Sequence, residues 1–165
     1  MFRHTDGHAK HHFCVWDETT AGWFTGDMFG VSYPRQRHAK GTFVMPATTP
    51  TQFEPALYAE SVDKLARSRP GFMYLTHFGA LPFDDRQVEL LKDQLDAYTG
   101  LGLEGPADTT ALEDQVLDVT RNALERVVTP ERAAEELALL RIDARLNAQG
   151  IAWWGQKLRA QQPAE

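Results

Sequence analysis

Apolar residues follow two different periods along the chain. Short apolar runs crowd the beginning, Phe13-Cys14-Val15-Trp16 and Trp23-Phe24-Thr25, on either side of Asp17-Glu18-Thr19-Thr20-Ala21-Gly22. Two such runs around a polar, glycine-closed segment predict a β-hairpin with a long turn. From Gly26 to Pro50, Gly, Pro, Ser and Thr recur irregularly, which predicts a structured loop long enough to be functional. Helical spacing then takes over. Tyr58, Val62 and Leu65 mark one face of a first helix. Its start can be read as a capping box at Thr51-Gln52-Phe53-Glu54 or as a first-turn proline at Pro55, and Pro70-Gly71 ends it. Phe72-Met73-Tyr74-Leu75 reads as a short buried strand.

Three further helices complete the pattern. The second begins near Asp84, carries Val88, Leu91, Leu95 and Tyr98 as its stripe, and should end at Gly100. A third follows Asp108 with Leu112, Val116, Val119 and Ala123 inward, and Thr129-Pro130 opens a fourth expected to reach about Leu158, weakened at Gly150. Strands early, long helices late and a helix between the hairpin and the next strand describe a layered α/β architecture.

Composition sets outer bounds. The 165 residues are one domain's worth, 42% hydrophobic and 24% charged, ordinary values for a water-exposed fold. A net charge of -6 argues against non-specific binding to nucleic acid or anionic membrane. No apolar run approaches a bilayer span of about 20 residues, and the first residues hold no signal-peptide core. Cys14 is the only cysteine, so no internal disulfide can form and a reducing, cytoplasmic setting is expected. In its apolar strand it reads as a buried, inert small hydrophobe.

Three residues at strand ends could carry chemistry: His8 after Gly7, Asp27 after Gly26, and His77 after Thr76. A rigid sheet fixes the groups on the loops at its rim, and imidazole and carboxylate are donors that zinc and similar ions accept. The plainer reading, that Asp27 and His77 serve local backbone, stays open on spacing alone. The terminal histidines His4, His8, His11 and His12 could also bind a cation weakly without a folded site. Trp153-Trp154 reads as helix packing, and Arg35 to Lys40 as solvated loop.

His4 to His12, with Gly7-His8 at its centre, resembles the third metal motif of the metallo-β-lactamase superfamily. Phe24-Thr25-Gly26-Asp27 resembles the fourth, and Leu75-Thr76-His77-Phe78-Gly79 the fifth, in the same order. Met45 to Phe53 and Leu146 to Gly150 resemble a bacterial, glyoxalase II-like subgroup. Asp6 stands where the family commonly has proline, and Met28 where threonine is frequent, without touching a ligand position.

The resemblance implies the C-terminal part of an αββα sandwich with a helical C-terminal region over 105–165. It implies a two-metal hydrolase site, zinc foremost, in which His8 binds one ion, His77 the other, and Asp27 bridges both as the candidate catalytic residue. His11 and His12 would stand behind these ligands. An ester, thioester, phosphoester or lactam would be the small-molecule substrate. The family's His-x-His-x-Asp-His motif is absent from these residues. Two donors per ion are then left where a catalytic zinc normally has three, so this chain alone is expected to be inactive. A lost N-terminal half would also bare one sheet face. Even ~400 Å² of wet apolar area forfeits about 10 kcal/mol, as much as a whole domain's stability. The alternative is a non-catalytic half-domain that docks on a partner or on its own copy, keeping relic ligands.

Overall fold

The computed structural model describes residues 1–105 and 108–161. A five-stranded sheet runs in the order β1 (Phe2–His4), β2 (Phe13–Asp17), β3 (Gly22–Gly26), β6 (Phe72–Leu75), β7 (Gly79–Pro82). The first three strands form an antiparallel meander, β6 runs parallel to β3, and β7 returns antiparallel along β6. Parallel neighbours cannot be joined by a tight turn. Between them the chain passes through a two-stranded ribbon, β4 (Arg37–His38) with β5 (Gly41–Thr42), and helix α1 (Pro55–Ala66). α2 (Asp85–Glu104), α3 (Thr109–Glu125), α4 (Pro130–Leu137) and α5 (Arg141–Gln161) follow.

Strand alternation explains where the core sits. Cys14, Trp23, Thr25, Met73, Leu75 and Leu81 point to one side and are buried. There the apolar five of them join a core with Tyr58, Val62 and Leu65 of α1 and Leu91, Leu95 and Tyr98 of α2. The opposite side carries Phe2, Phe13, Phe24 and Phe72, all exposed. The mixed α/β layering is as expected, and among the described residues the helices pack on one face of the sheet.

Several boundaries differ from the sequence expectation. β1 and β7 are additional strands, and the 26–50 segment holds two 3-10 turns and the small ribbon. Pro55 occupies the first helical turn of α1, and Glu54 supplies no side-chain cap. α2 runs through Gly100 to Glu104. Gly102 serves packing, because a Cβ there would lie 2.5 Å from the Trp154 ring. The expected fourth helix is two, separated by a 3-10 turn at Ala138–Leu140. Gly150 is no weak point: it lies inside α5, where a Cβ would sit 2.2 Å from Thr48 Oγ1. Trp154 is buried in the core, as a packing role requires.

Candidate metal centre at the rim of the sheet

His8 sits in the β1–β2 loop, and that loop is pinned to the start of α1. The Gly7 carbonyl accepts from Glu54 N at 2.9 Å, and the Asp6 carbonyl accepts from Ser61 Oγ at 2.8 Å. At Gly7, φ is 120° and a Cβ would lie 2.1 Å from Tyr58 N, so only glycine lets the loop approach. His8 is thereby held with Nδ1 2.7 Å from the Ala47 carbonyl and Nε2 3.0 Å from Thr49 Oγ1. A carbonyl can only accept, so Nδ1 carries the proton and neutral His8 presents the Nε2 lone pair to the rim.

Asp27 reaches the same point from the end of β3. The β3–β6 register slips between Phe24 and Gly26, and Gly26 takes φ 53°. Such a bulge re-aims the residues beyond it. Asp27 starts a 3-10 turn there, and its carbonyl accepts from the Tyr58 hydroxyl at 2.7 Å. Tyr58 is fully buried, and burial raises its pKa far above the usual phenol range, so it remains a donor. Its oxygen also accepts from Ala47 N at 3.4 Å. One phenol thus ties the backbone of Asp27 to the segment that orients His8.

His77 completes the group from the β6–β7 turn. Asp27 lies between the two imidazoles: Oδ2 is 3.6 Å from His8 Nε2, and Oδ1 is 3.7 Å from His77 Nε2. Oδ1 is buried without a hydrogen-bond partner among the described residues. His77 is 57% exposed against 15% for His8, so the centre opens to water on the His77 side. Phe78 beside it adopts φ 70°, rare for a bulky side chain, with its ring 4.3 Å from Tyr33.

His12 also enters the centre. Its ring lies 5.6 Å from that of His8, its Nδ1 is 2.8 Å from Thr5 Oγ1, and Nε2 occupies the space a Cβ on Gly26 would need. Burial, then the neighbouring His8 imidazole, lowers its pKa, which favours a neutral ring. His11 is exposed on the same loop, and His4 lies in β1. Among the described residues no group of three or more His, Cys, Asp or Glu side chains is spaced to hold one ion. The centre is two donor pairs sharing one carboxylate.

Sequence reasoning missed the supports: Ala47, Thr49, Tyr58 and Asn147. Asn147 of α5 accepts from Thr48 N at 2.9 Å and donates to the Pro46 carbonyl at 2.8 Å. The signal was present in the two stretches around residues 45–53 and 146–150, which the fold packs against each other.

No family model matches the chain, and no curated protein is similar to it. Among solved structures, it is similar to an archaeal metallo-beta-lactamase superfamily protein from Sulfolobus tokodaii, at 27% identity and a TM-score of 0.45. The match covers 57% of this chain, which spans about a third (32%) of that protein.

Proposed function

We propose that His8, Asp27 and His77 are ligands of a divalent-metal centre in a metallo-β-lactamase-type hydrolase, and that these residues form part of it. The observation that carries this reading is Asp27 set between two imidazoles, one oxygen toward each, with Oδ1 otherwise orphaned. A buried carboxylate oxygen facing only nitrogens is costly unless a proton or a cation lies between them.

The donors fit a metal in kind. Imidazole nitrogen and carboxylate oxygen suit zinc first and also iron or manganese. In number they fall short, at two protein donors for each ion. Paired ions supply polarisation of a substrate oxygen and activation of water at neutral pH. What the chain's own side chains do is narrower. His8, with its proton held at Nδ1, keeps a fixed lone pair toward Asp27. Asp27 supplies the negative charge, and His77 guards the open side, where an ester, thioester, phosphoester or lactam would enter. Full turnover requires further donors, for which a His-x-His-x-Asp-His segment of the glyoxalase II-like kind is the natural source. The 165-residue chain by itself is expected to bind zinc weakly and to hydrolyse generic esters negligibly.

Calorimetric titration of zinc into the protein and into the triple variant His8→Ala/Asp27→Ala/His77→Ala tests this. Loss of binding in the variant is expected. Unchanged affinity would move the binding to His4, His11 and His12 and end the reading. A second reading, a half-domain that associates through its surface, draws on the open aromatic face of the sheet.

A further inference from the structure

We infer that the open side of the centre carries a subsite for a primary ammonium group of the substrate, formed by the Asp143 carboxylate and the aromatic pair Tyr33 and Phe78. For the reacting end of the substrate this rests on the proposed hydrolase; the charge at its other end is what the subsite adds.

Asp143 is a carboxylate that the metal reading leaves unused. It stands half-buried in the first turn of α5, where its Oδ2 accepts from the Tyr33 hydroxyl at 3.0 Å. Burial raises its pKa, while Tyr33, its own backbone and His77 favour the charged form. The carboxylate therefore lies within electrostatic reach of His77, the most exposed of the three candidate ligands. Neighbouring cations are engaged elsewhere. Arg37 donates to the Phe78 carbonyl at 2.9 Å, and Arg145 pairs with Glu113 at 3.1 Å. Among the described residues no lysine or arginine forms an ion pair with Asp143. A half-buried carboxylate beside a reaction centre, answered only by a hydroxyl, has the environment of a functional group.

Tyr33 joins Asp143 to the turn that carries His77. Its hydroxyl bonds the carboxylate, and its ring lies 4.3 Å from that of Phe78 at 30°. Phe78 is 46% exposed at φ 70°, a strained backbone for a bulky side chain, and Arg37 holds its carbonyl. An exposed ring fixed in that conformation next to a candidate ligand points to contact with the substrate. Carboxylate and aromatic face together recognise an ammonium, the first by charge-assisted hydrogen bonds and the second by cation–π attraction. Asp143 also lines a hollow of about 60 Å³ with Pro46, Ala47, Leu146 and Asn147. The Ala47 carbonyl orients His8, so the hollow adjoins the centre. Its size suits a small head group, and the acceptor positions of Asp143 that Tyr33 leaves open suit the three donors of a primary ammonium. A net charge of -6 draws such a cation in.

Amide-resolved NMR titration of the metal-free chain at pH 7 tests this with three probes of one shape. β-Alanine ethyl ester is the cation, ethyl butyrate its neutral counterpart and monoethyl succinate the anion. The cation should bind about tenfold more tightly than the neutral ester, and the anion more weakly still, with shifts centred on His77, Phe78 and Asp143. Asp143→Asn keeps an acceptor for Tyr33 and should erase that preference while leaving the neutral ester's affinity unchanged. Phe78→Leu should reduce the preference about threefold, and it decides the case if Asp143→Asn fails to fold. No binding of the cation, equal affinity for the three esters, or a preference that survives in folded Asp143→Asn would overturn the inference. So would shifts scattered over the acidic surface. With zinc absent, the two readings fail separately: loss of the metal reading leaves the cation preference measurable, and an absent preference leaves zinc binding by His8, Asp27 and His77 untouched.

Discussion

The Tyr58 hydroxyl donates to the Asp27 carbonyl at 2.7 Å, linking a core helix to the residue at the middle of the site. Tyr58 also packs edge-on against Phe53, with centroids 6.5 Å apart, so its ring cannot drift. The geometry of the carboxylate is therefore set through its own backbone, by a side chain that never reaches the rim.

Tyr58→Phe should lower stability by about 1–3 kcal/mol, because it leaves a carbonyl and an amide without their shared partner in the interior. Urea denaturation measures the loss. Zinc affinity should fall in the same variant although no ligand has been touched. A variant as stable as wild type would show that water replaces the phenol.

Glycines in helices separate two effects. A Cβ on Gly150 would lie 2.2 Å from Thr48 Oγ1 and 2.6 Å from its Cβ, so Gly150→Ala forces α5 off the loop behind His8. A cost of about 1–3 kcal/mol is expected from such overpacking. Gly100, in α2, has nothing within 4 Å of its Cβ position and no left-handed backbone, so Gly100→Ala should instead stabilise by about 0.5–1 kcal/mol. Thermal melts of the pair should move in opposite directions.

That contrast shows how much the sequence could reveal. Gly100 and Gly150 look alike as helix interruptions, and only the partner across the interface distinguishes them. Periodicity was enough for α1, the body of α2 and α3, and for β2, β3 and β6, where apolar spacing coincides with burial. It failed for β1, whose three residues are all exposed, and for β7, whose Pro82 argues against a strand and suits an edge. Nothing in the composition of Glu135 to Leu140 marks the break between α4 and α5. The three rim residues stood out as candidates because each lies beside a strand visible in the sequence, His8 shortly before one and Asp27 and His77 just after one, and the fold brings them together. Their supports did not stand out, since Ala47, Tyr58 and Asn147 act through backbone groups distant in the sequence.

Cys14 offers a test in pH. Burial raises its thiol to about 11, against an ordinary 9.0, despite a hydrogen bond with Thr5. The folded chain keeps a proton that the unfolded chain loses between these values. Stability should therefore be unaffected below pH 9 and fall as pH rises toward 11, by up to about 3 kcal/mol. Cys14→Ser should lessen the slope, read from urea midpoints across that range. At pH 8 the native thiol should react with a disulfide reagent only as fast as the chain opens. Immediate labelling would contradict its place in the core.

The tautomer of His8 is the most direct handle on the site itself. With Nδ1 2.7 Å from the Ala47 carbonyl, the neutral ring must carry its proton there, and Thr49 Oγ1 at 3.0 Å is left to donate to Nε2. Two-dimensional ¹⁵N spectra of histidine-labelled protein should show a protonated Nδ1 and an unprotonated Nε2 for His8. His11, exposed on the same loop, should show the mixture with excess Nε2–H that free imidazoles adopt. Added zinc should shift the Nε2 resonance of His8 and leave its Nδ1 protonated, and Thr49→Val should not abolish that shift. A protonated Nε2 in neutral His8 would mean that the Ala47 carbonyl does not orient the ring. The lone pair on which the metal reading depends would then face away from Asp27.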